Sequence, residues 1–275
     1  MNVYYIIKRT GWALATIIGV IIISYVILRL APGDPARIWA GKPRGPMAQK
    51  AIEEARKELG LDKPLVIQVL QYLIQVLRGN LGVSIEYKVP VSSIIWRGLT
   101  STLELLVVAY AIGIPIGVLL GVESALRRGT KLDGILQSIA VILANAPSFW
   151  LAIGVIVVLL KTIGFTGYSR VDVKLAIATG FHPITGFYLL DTLLQGNLVL
   201  FVDVFSRVLP PALVVATYPM GLGIRFARAF LVENLEEDFV KVAVAWGVNR
   251  DIVIWKYAFR GSIPNLTQVF GLAFA

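Results

Sequence analysis

The sequence predicts an all-α polytopic membrane protein. Composition, the lengths of the apolar runs and the placement of charge all point there. Of 275 residues, 57% are hydrophobic and 16% charged, and the mean hydropathy is +0.75. A soluble domain is about half apolar and about a quarter charged. Crossing a bilayer takes about 20 mostly apolar residues, and five uncharged runs approach or exceed that length. The net charge of +9 is spread along the flanks of those runs. Nucleic-acid binding would instead gather it on one soluble face, so the expected surface partner is membrane lipid and no nucleic acid. The chain has no Cys and one His, which excludes disulfides, thiolate metal sites and Cys nucleophiles. His182 precedes Pro183 and reads as a loop residue, so no metal site and no catalytic residue is expected.

The first run, 11–28, follows Lys8 and Arg9. It is longer than a signal-peptide core and lacks a small-residue cleavage site, so it reads as a retained helix. Residues 31–98 then form a long loop region. Its PGDP turn (Pro32, Gly33, Asp34, Pro35) has prolines that set turns and an Asp that can accept from backbone amides. Helical periodicity follows at 48–59 and 64–77, the second with Leu65, Val69, Tyr72, Leu73 and Val76 on one face. Residues 78–84 are turn-rich.

The second span, 105–122, opens beside Glu104, expected to pair or snorkel. It carries Gly113, Gly117 and Gly121, a spacing that lets helix backbones touch. The third, 134–160, contains Pro147, which favours a kink or break. Asn145, Pro147, Ser148 and Phe149 around it are candidates to line a passage. Residues 186–205 are apolar but interrupted by Asp191, Gly196 and Asp203, which suits an interfacial or re-entrant segment. The fourth span, 208–224, continues through Arg225 and Arg228 to 232, and a fifth run begins at Gly261.

Charge sets the orientation. Lys8 and Arg9 place the N-terminus in the cytoplasm, and Arg127, Arg128 and Lys131 do the same for the loop after span two. Parity then puts 161–206 outside and 233–260 inside, where Lys241, Arg250, Lys256 and Arg260 agree. Three divisions are expected: 1–30 with the first helix, an external loop domain at 31–98, and a core at 99–275.

Residues 233–264 are the most informative stretch. Asn234 can cap a helix whose first turn holds Glu236, Glu237 and Asp238. Phe239, Val242, Ala243 and Trp246 recur at helical spacing. Gly247 can supply a left-handed turn, and Asn249 can cap a second helix over 250–259. Small Ala243 and Ala245 would admit a close neighbour. Chemistry alone leaves two readings open, a docking site for a soluble protein and an amphipathic loop on the lipid surface.

This stretch resembles the EAA-type coupling motif of ABC importer permeases in its dipeptide/oligopeptide form, through Asp238, Phe239, Val240, Lys241, Ala243, Ala245, Gly247, Arg260 and Pro264. Trp246 stands where the pattern usually has Lys, Tyr257 where it has His, and Gly261 where it has Asn. RLAPGDP at 29–35, LGLDKP at 59–64, LRGNLGVS at 77–84, TSTLEL at 100–105 and APSFW at 146–150 resemble further elements of the same subfamily, in order.

The resemblance implies an ABC importer type I transmembrane domain with a sizeable external loop after the first helix. It implies coupling helices at 236–260, a second homologous permease subunit, two ATP-binding-cassette ATPase subunits and an external solute-binding protein. ATP and Mg would be bound by the ATPase, since this chain has no GxxxxGK[ST] phosphate loop. Peptides are the implied cargo, with oligosaccharides or nickel as alternatives. The implied fold completes a fifth span and adds a sixth. The fifth run is still apolar at Ala275, so an incomplete permease is expected. A non-transporting membrane scaffold is the alternative from another class. An intramembrane enzyme finds no paired carboxylates or Ser/His pair to support it.

Overall fold

The computed structural model describes residues 3–164 and 169–274. The expected external segment 161–206 therefore includes residues, 165–168, that lie outside the described ones, as does Ala275. The chain forms two compact units, Met1–Gly98 and Leu99–Ala275.

In the first unit, α1 (Val3–Leu30) is 28 residues of apolar helix with no buried side chain. The PGDP turn opens α2 (Pro35–Trp39): the Asp34 carboxylate accepts from the Ala36 amide at 3.0 Å, and Pro35 occupies the first turn, where its missing N–H costs nothing. Arg56, on α3 (Ala48–Glu58), reaches the other Asp34 oxygen at 2.7 Å. α4 (Leu65–Leu77) turns the expected face inward. Val69, Tyr72, Leu73 and Val76 are half-buried while Leu65 stays exposed. The Tyr72 ring packs at a tilt against Tyr25 of α1, with centroids 5.2 Å apart, and the Tyr25 hydroxyl donates to the buried Gln68. Gln68 in turn donates to the Lys63 carbonyl at 2.7 Å and holds the turn before its own helix.

α5 (Val91–Leu126) begins well before the expected span and is 36 residues long. In the second unit α6 (Lys131–Asn145) and α7 (Ser148–Ile163) replace one continuous span. They are bent by 98°. Ala146 is extended, as a residue before proline prefers, and Pro147 caps the new helix. The pathway candidates Asn145, Pro147, Ser148 and Phe149 all sit at this elbow and are exposed.

α8 (Val173–Ala178) and α9 (Tyr188–Leu194) are short. The interrupted stretch 186–205 is thus only partly a separate segment, because α10 (Leu198–Leu235) already starts at Leu198. Asn197 caps α10 through the Leu200 amide, so the span runs 38 residues through Pro210, Pro211 and Pro219. α1, α5 and α10 are each long and apolar enough to cross a membrane, and the bent pair makes up to a fourth span.

The core of the second unit is the contact of α5 with α10. A side chain on Gly117 would lie 2.5 Å from the Met220 carbonyl, and one on Gly113 or Gly121 would strike the Ala216 or Ile224 carbonyl. Gly223 meets the Gly117 backbone from the other side, and Gly221 seats α10 against Ala140 and Ala144 of α6. The glycine spacing therefore serves helix packing. Gly117→Ala should lower the midpoint of thermal unfolding in detergent, costing about 1–3 kcal/mol of overpacking. Gly134→Ala, in helical surroundings with open space, should leave it unchanged or raise it slightly.

Candidate functional site

The charged stretch after α10 folds into α11 (Asp238–Ala245), then α12 (Arg250–Ile252), a π-helical stretch Val253–Phe259 and α13 (Arg260–Phe274). The last three run on without a break. The expected second helix at 250–259 is therefore the start of one long rod.

Gly247 takes the expected left-handed conformation at φ +75°. Its amide donates to the Val244 carbonyl at 3.0 Å, and the Val248 amide donates to Ala243 at 3.1 Å. This pairing is a Schellman closure, which glycine permits without strain. Asn249 caps the next helix through the Asp251 amide at 2.8 Å.

Asn234 does not cap α11. Glu237 occupies that position, and Asn234 lies in the last turn of α10. Its amide donates to the Ala258 carbonyl at 3.1 Å and to Ser262 Oγ at 2.8 Å. A side chain on Gly261 would meet this amide at 3.1 Å, so glycine there makes room for it. Asn234 thus pins the π-helical turn to α10. A π-turn commonly marks a place where regular bonding yields to such an insertion.

The two faces of α11 differ. Val240 and Ala243 are buried in a cluster with Val122 and Ala125 of α5, Leu231 of α10, and Val253 and Ala258. Ala243 therefore packs inside the chain, while Ala245 is exposed. Phe239 (49% exposed), Val242 (52%) and Trp246 (84%) form an outward apolar stripe. Asp238 and Lys241 flank it as an exposed pair 3.2 Å apart. Arg260 and Pro264 are exposed further along the rod. Arg128, in the α5–α6 turn, reaches Glu236 at 2.6 Å just before α11.

Beside this surface lies a polar knot that the sequence reading did not find. Asp133, buried in the first turn of α6, receives both forks of Arg228 at 2.6 and 2.7 Å, Ser124 Oγ at 2.6 Å and the Gly129 amide at 2.9 Å. The available signal was an Arg inside an apolar run, which requires a partner.

At the other end of the unit Glu104 pairs as expected. Its carboxylate takes Arg170 at 2.7 Å and the Leu189 amide at 2.6 Å. Arg170 also covers the Tyr188 ring and donates to the Gly186 carbonyl. Asp191 is fully buried. It accepts from the amides of Ile184, Thr185 and Gly186 and from Thr185 Oγ1. Burial opposes its ionisation, but these donors outweigh that and hold its carboxyl below the usual carboxylate range. Among the described residues no three His, Cys, Asp or Glu gather as a metal site would require.

The family of binding-protein-dependent transport system inner membrane components matches residues 113–275, and its N-terminal counterpart matches 2–106. The chain belongs to this family. It is a multi-pass inner-membrane permease subunit of an ABC importer. It is similar to the "Probable D,D-dipeptide transport system permease protein" of Escherichia coli K12, 35% identical over 99% of this chain and 79% of that one. It is also similar to the di/tripeptide transport system permease protein of Pseudomonas aeruginosa UCBPP-PA14, at 33% over 98% and 78%. The dipeptide transport system permease protein of E. coli K12 is 32% identical over the same shares.

For this permease, Asn234→Ala should cost about 1 kcal/mol and speed amide hydrogen exchange over 253–262 while α5 stays protected. Asp191 has a lowered folded pKa, so its contribution is complete above the unfolded value of about 4 and fades as pH falls through the folded one. Limited proteolysis should therefore find the 184–196 loop opening in acid. Asp191→Asn should leave it equally loose at neutral pH, with a flat pH profile.

Proposed function

We propose that the chain forms part of the translocation pathway for short peptides and is driven by ATP hydrolysis on a partner subunit. The observation that carries this reading is the two-faced α11, which turns Phe239, Val242 and Trp246 outward from a helix locked into the span ends. An exposed apolar stripe of this kind marks a protein-binding surface. The names of the relatives support peptides as cargo.

In this reading the N-terminus, the α5–α6 turn and α11 lie in the cytoplasm, in keeping with their basic residues. An ATPase subunit takes α11 into a cleft. Asp238, Phe239, Lys241, Ala245 and Arg260 meet it, while Ala243 and Gly247 shape the helix and its closing turn. Two ATPase subunits bind ATP and Mg, and this chain needs no cofactor of its own. A second homologous permease completes the passage, with the elbow residues Asn145, Pro147, Ser148 and Phe149 as lining candidates. A solute-binding protein delivers cargo outside, against 31–98, where Pro32, Gly33, Asp34 and Pro35 shape a turn.

Coupling is then mechanical. Val240 and Ala243 are close-packed with α5, α10 and the α12–α13 rod, and Asn234 ties the rod to α10. A packed core transmits displacement rather than absorbing it. ATP-driven movement of α11 would therefore shift the span ends between two arrangements.

Capture of the cognate ATPase by the detergent-solubilised permease complex tests this. Phe239→Glu and Trp246→Glu should each weaken capture about tenfold or more while the unfolding midpoint stays near that of the unmodified chain. Ala243→Glu should instead lower the midpoint, since it buries a charge. If the unmodified complex does not capture the ATPase, the non-transporting scaffold replaces the transport reading.

A further inference from the structure

Leu198, Val199, Val202 and Leu213 give α10 an exposed apolar surface, but one stripe of the helix is unlike a lipid-facing surface. Pro211, Tyr218 and Arg225 are exposed and spaced seven residues apart, so they lie on one stripe with neighbours about 10 Å apart along the axis. Arg228, one turn beyond Arg225, is held by Asp133, and Arg170 and Arg207 are held by Glu104 and Asp203. The ion pairs of the described residues leave Arg225 out. Its guanidinium lies 5.9 Å from the ring of the adjacent Phe226. A bare guanidinium within a spanning helix belongs against water or an anion rather than hydrocarbon.

The stripe is continuous with a cavity at the opposite end of α10 from α11. That cavity has a volume of about 240 Å³ and is lined by Ser101, Glu104, Arg170, Arg207 and Pro211 among others. Pro211 belongs to both. A polar mouth therefore opens onto a line that passes Tyr218 and ends at an uncommitted cation.

We propose that Arg225 lines a water-filled passage and receives the terminal carboxylate of the peptide cargo, making it a specificity-determining residue for free-acid peptides. This rests on the peptide-import reading above. A guanidinium offers a planar fork of donors that matches a carboxylate. Tyr218, two turns away, supplies an apolar ring with a polar tip for the rest of a short peptide.

The test uses the complete transporter, with its binding protein, in lipid vesicles. Because the chain has no Cys, single-cysteine variants report one position each. Arg225→Cys and Tyr218→Cys should react several-fold faster with a membrane-impermeant thiol reagent than Ile17→Cys, which sits on the exposed apolar surface of α1. Alanyl-alanine should slow the Tyr218→Cys reaction, in which Arg225 is intact, and its C-terminal amide should not. Arg225→Gln should lower ATP-dependent alanyl-alanine uptake about tenfold, the scale of one lost charge-assisted bond, and Arg225→Lys, which restores the charge but not the fork, should recover part of it. Equal reactivity of Arg225→Cys and Ile17→Cys, or wild-type uptake by Arg225→Gln, overturns the proposal. A defect of Arg225→Gln confined to vesicles containing phosphatidylglycerol, and absent in phosphatidylcholine, assigns Arg225 to a lipid phosphate and also overturns it. If the unmodified transporter shows no ATP-dependent uptake, the import reading fails instead. The reagent reactivities then still decide whether the stripe faces water.

Discussion

The backbone contact between α5 and α10 is the constraint on which the second unit depends. Gly113, Gly117 and Gly121 bring one helix against the carbonyls of Ala216, Met220 and Ile224 on the other. In hydrocarbon no hydrophobic effect drives helices together, so van der Waals contact over small residues must supply the association. The same approach sets the register of the two helices. That register places Glu104 near Leu189 and Ser124 near Asp133, and it brings Val122 and Ala125 to the underside of α11.

Two ion pairs built on buried carboxylates then fasten the ends of this scaffold. Glu104 with Arg170 joins α5 to the segment before α8, and Asp133 with Arg228 joins α6 to α10. Burying charge is costly even when paired, and such pairs add little net stability over apolar packing. Their value here is directional. Asp133 accepts four well-placed donors, and a slipped register would strand it. The end that carries α11 is thereby rigid beneath an apolar face turned outward, an arrangement suited to passing on a push.

Several local features were legible in the sequence because a few adjacent residues decide them. The Asp34 cap, α3, the inner face of α4 and the left-handed Gly247 all formed as their spacing implied. The glycine triplet was legible as a packing motif, although its partner helix was not. Asn234 was misplaced because a cap and a cross-helix tie use the same side-chain chemistry, and only Ala258 and Ser262, more than twenty residues away, choose between them. Ala243 was legible as small but not as inward-facing, since α11 has apolar residues on both faces and only the position of α5 determines which is covered.

The sequence by itself determined the class of the protein, the apolar runs from which its spans are drawn, several of its turns and its family. These follow from composition and from motifs whose physics is local. The tertiary structure alone decided that the third apolar run breaks into two helices bent by 98°, that α10 begins at Leu198, and which of the many arginines are spent on carboxylates. A proline states only that a helix cannot continue unchanged, and a charge only that it needs a counterpart. The angle of the break and the identity of the counterpart come from residues far away in the chain, brought near by the packing of α5, α6 and α10.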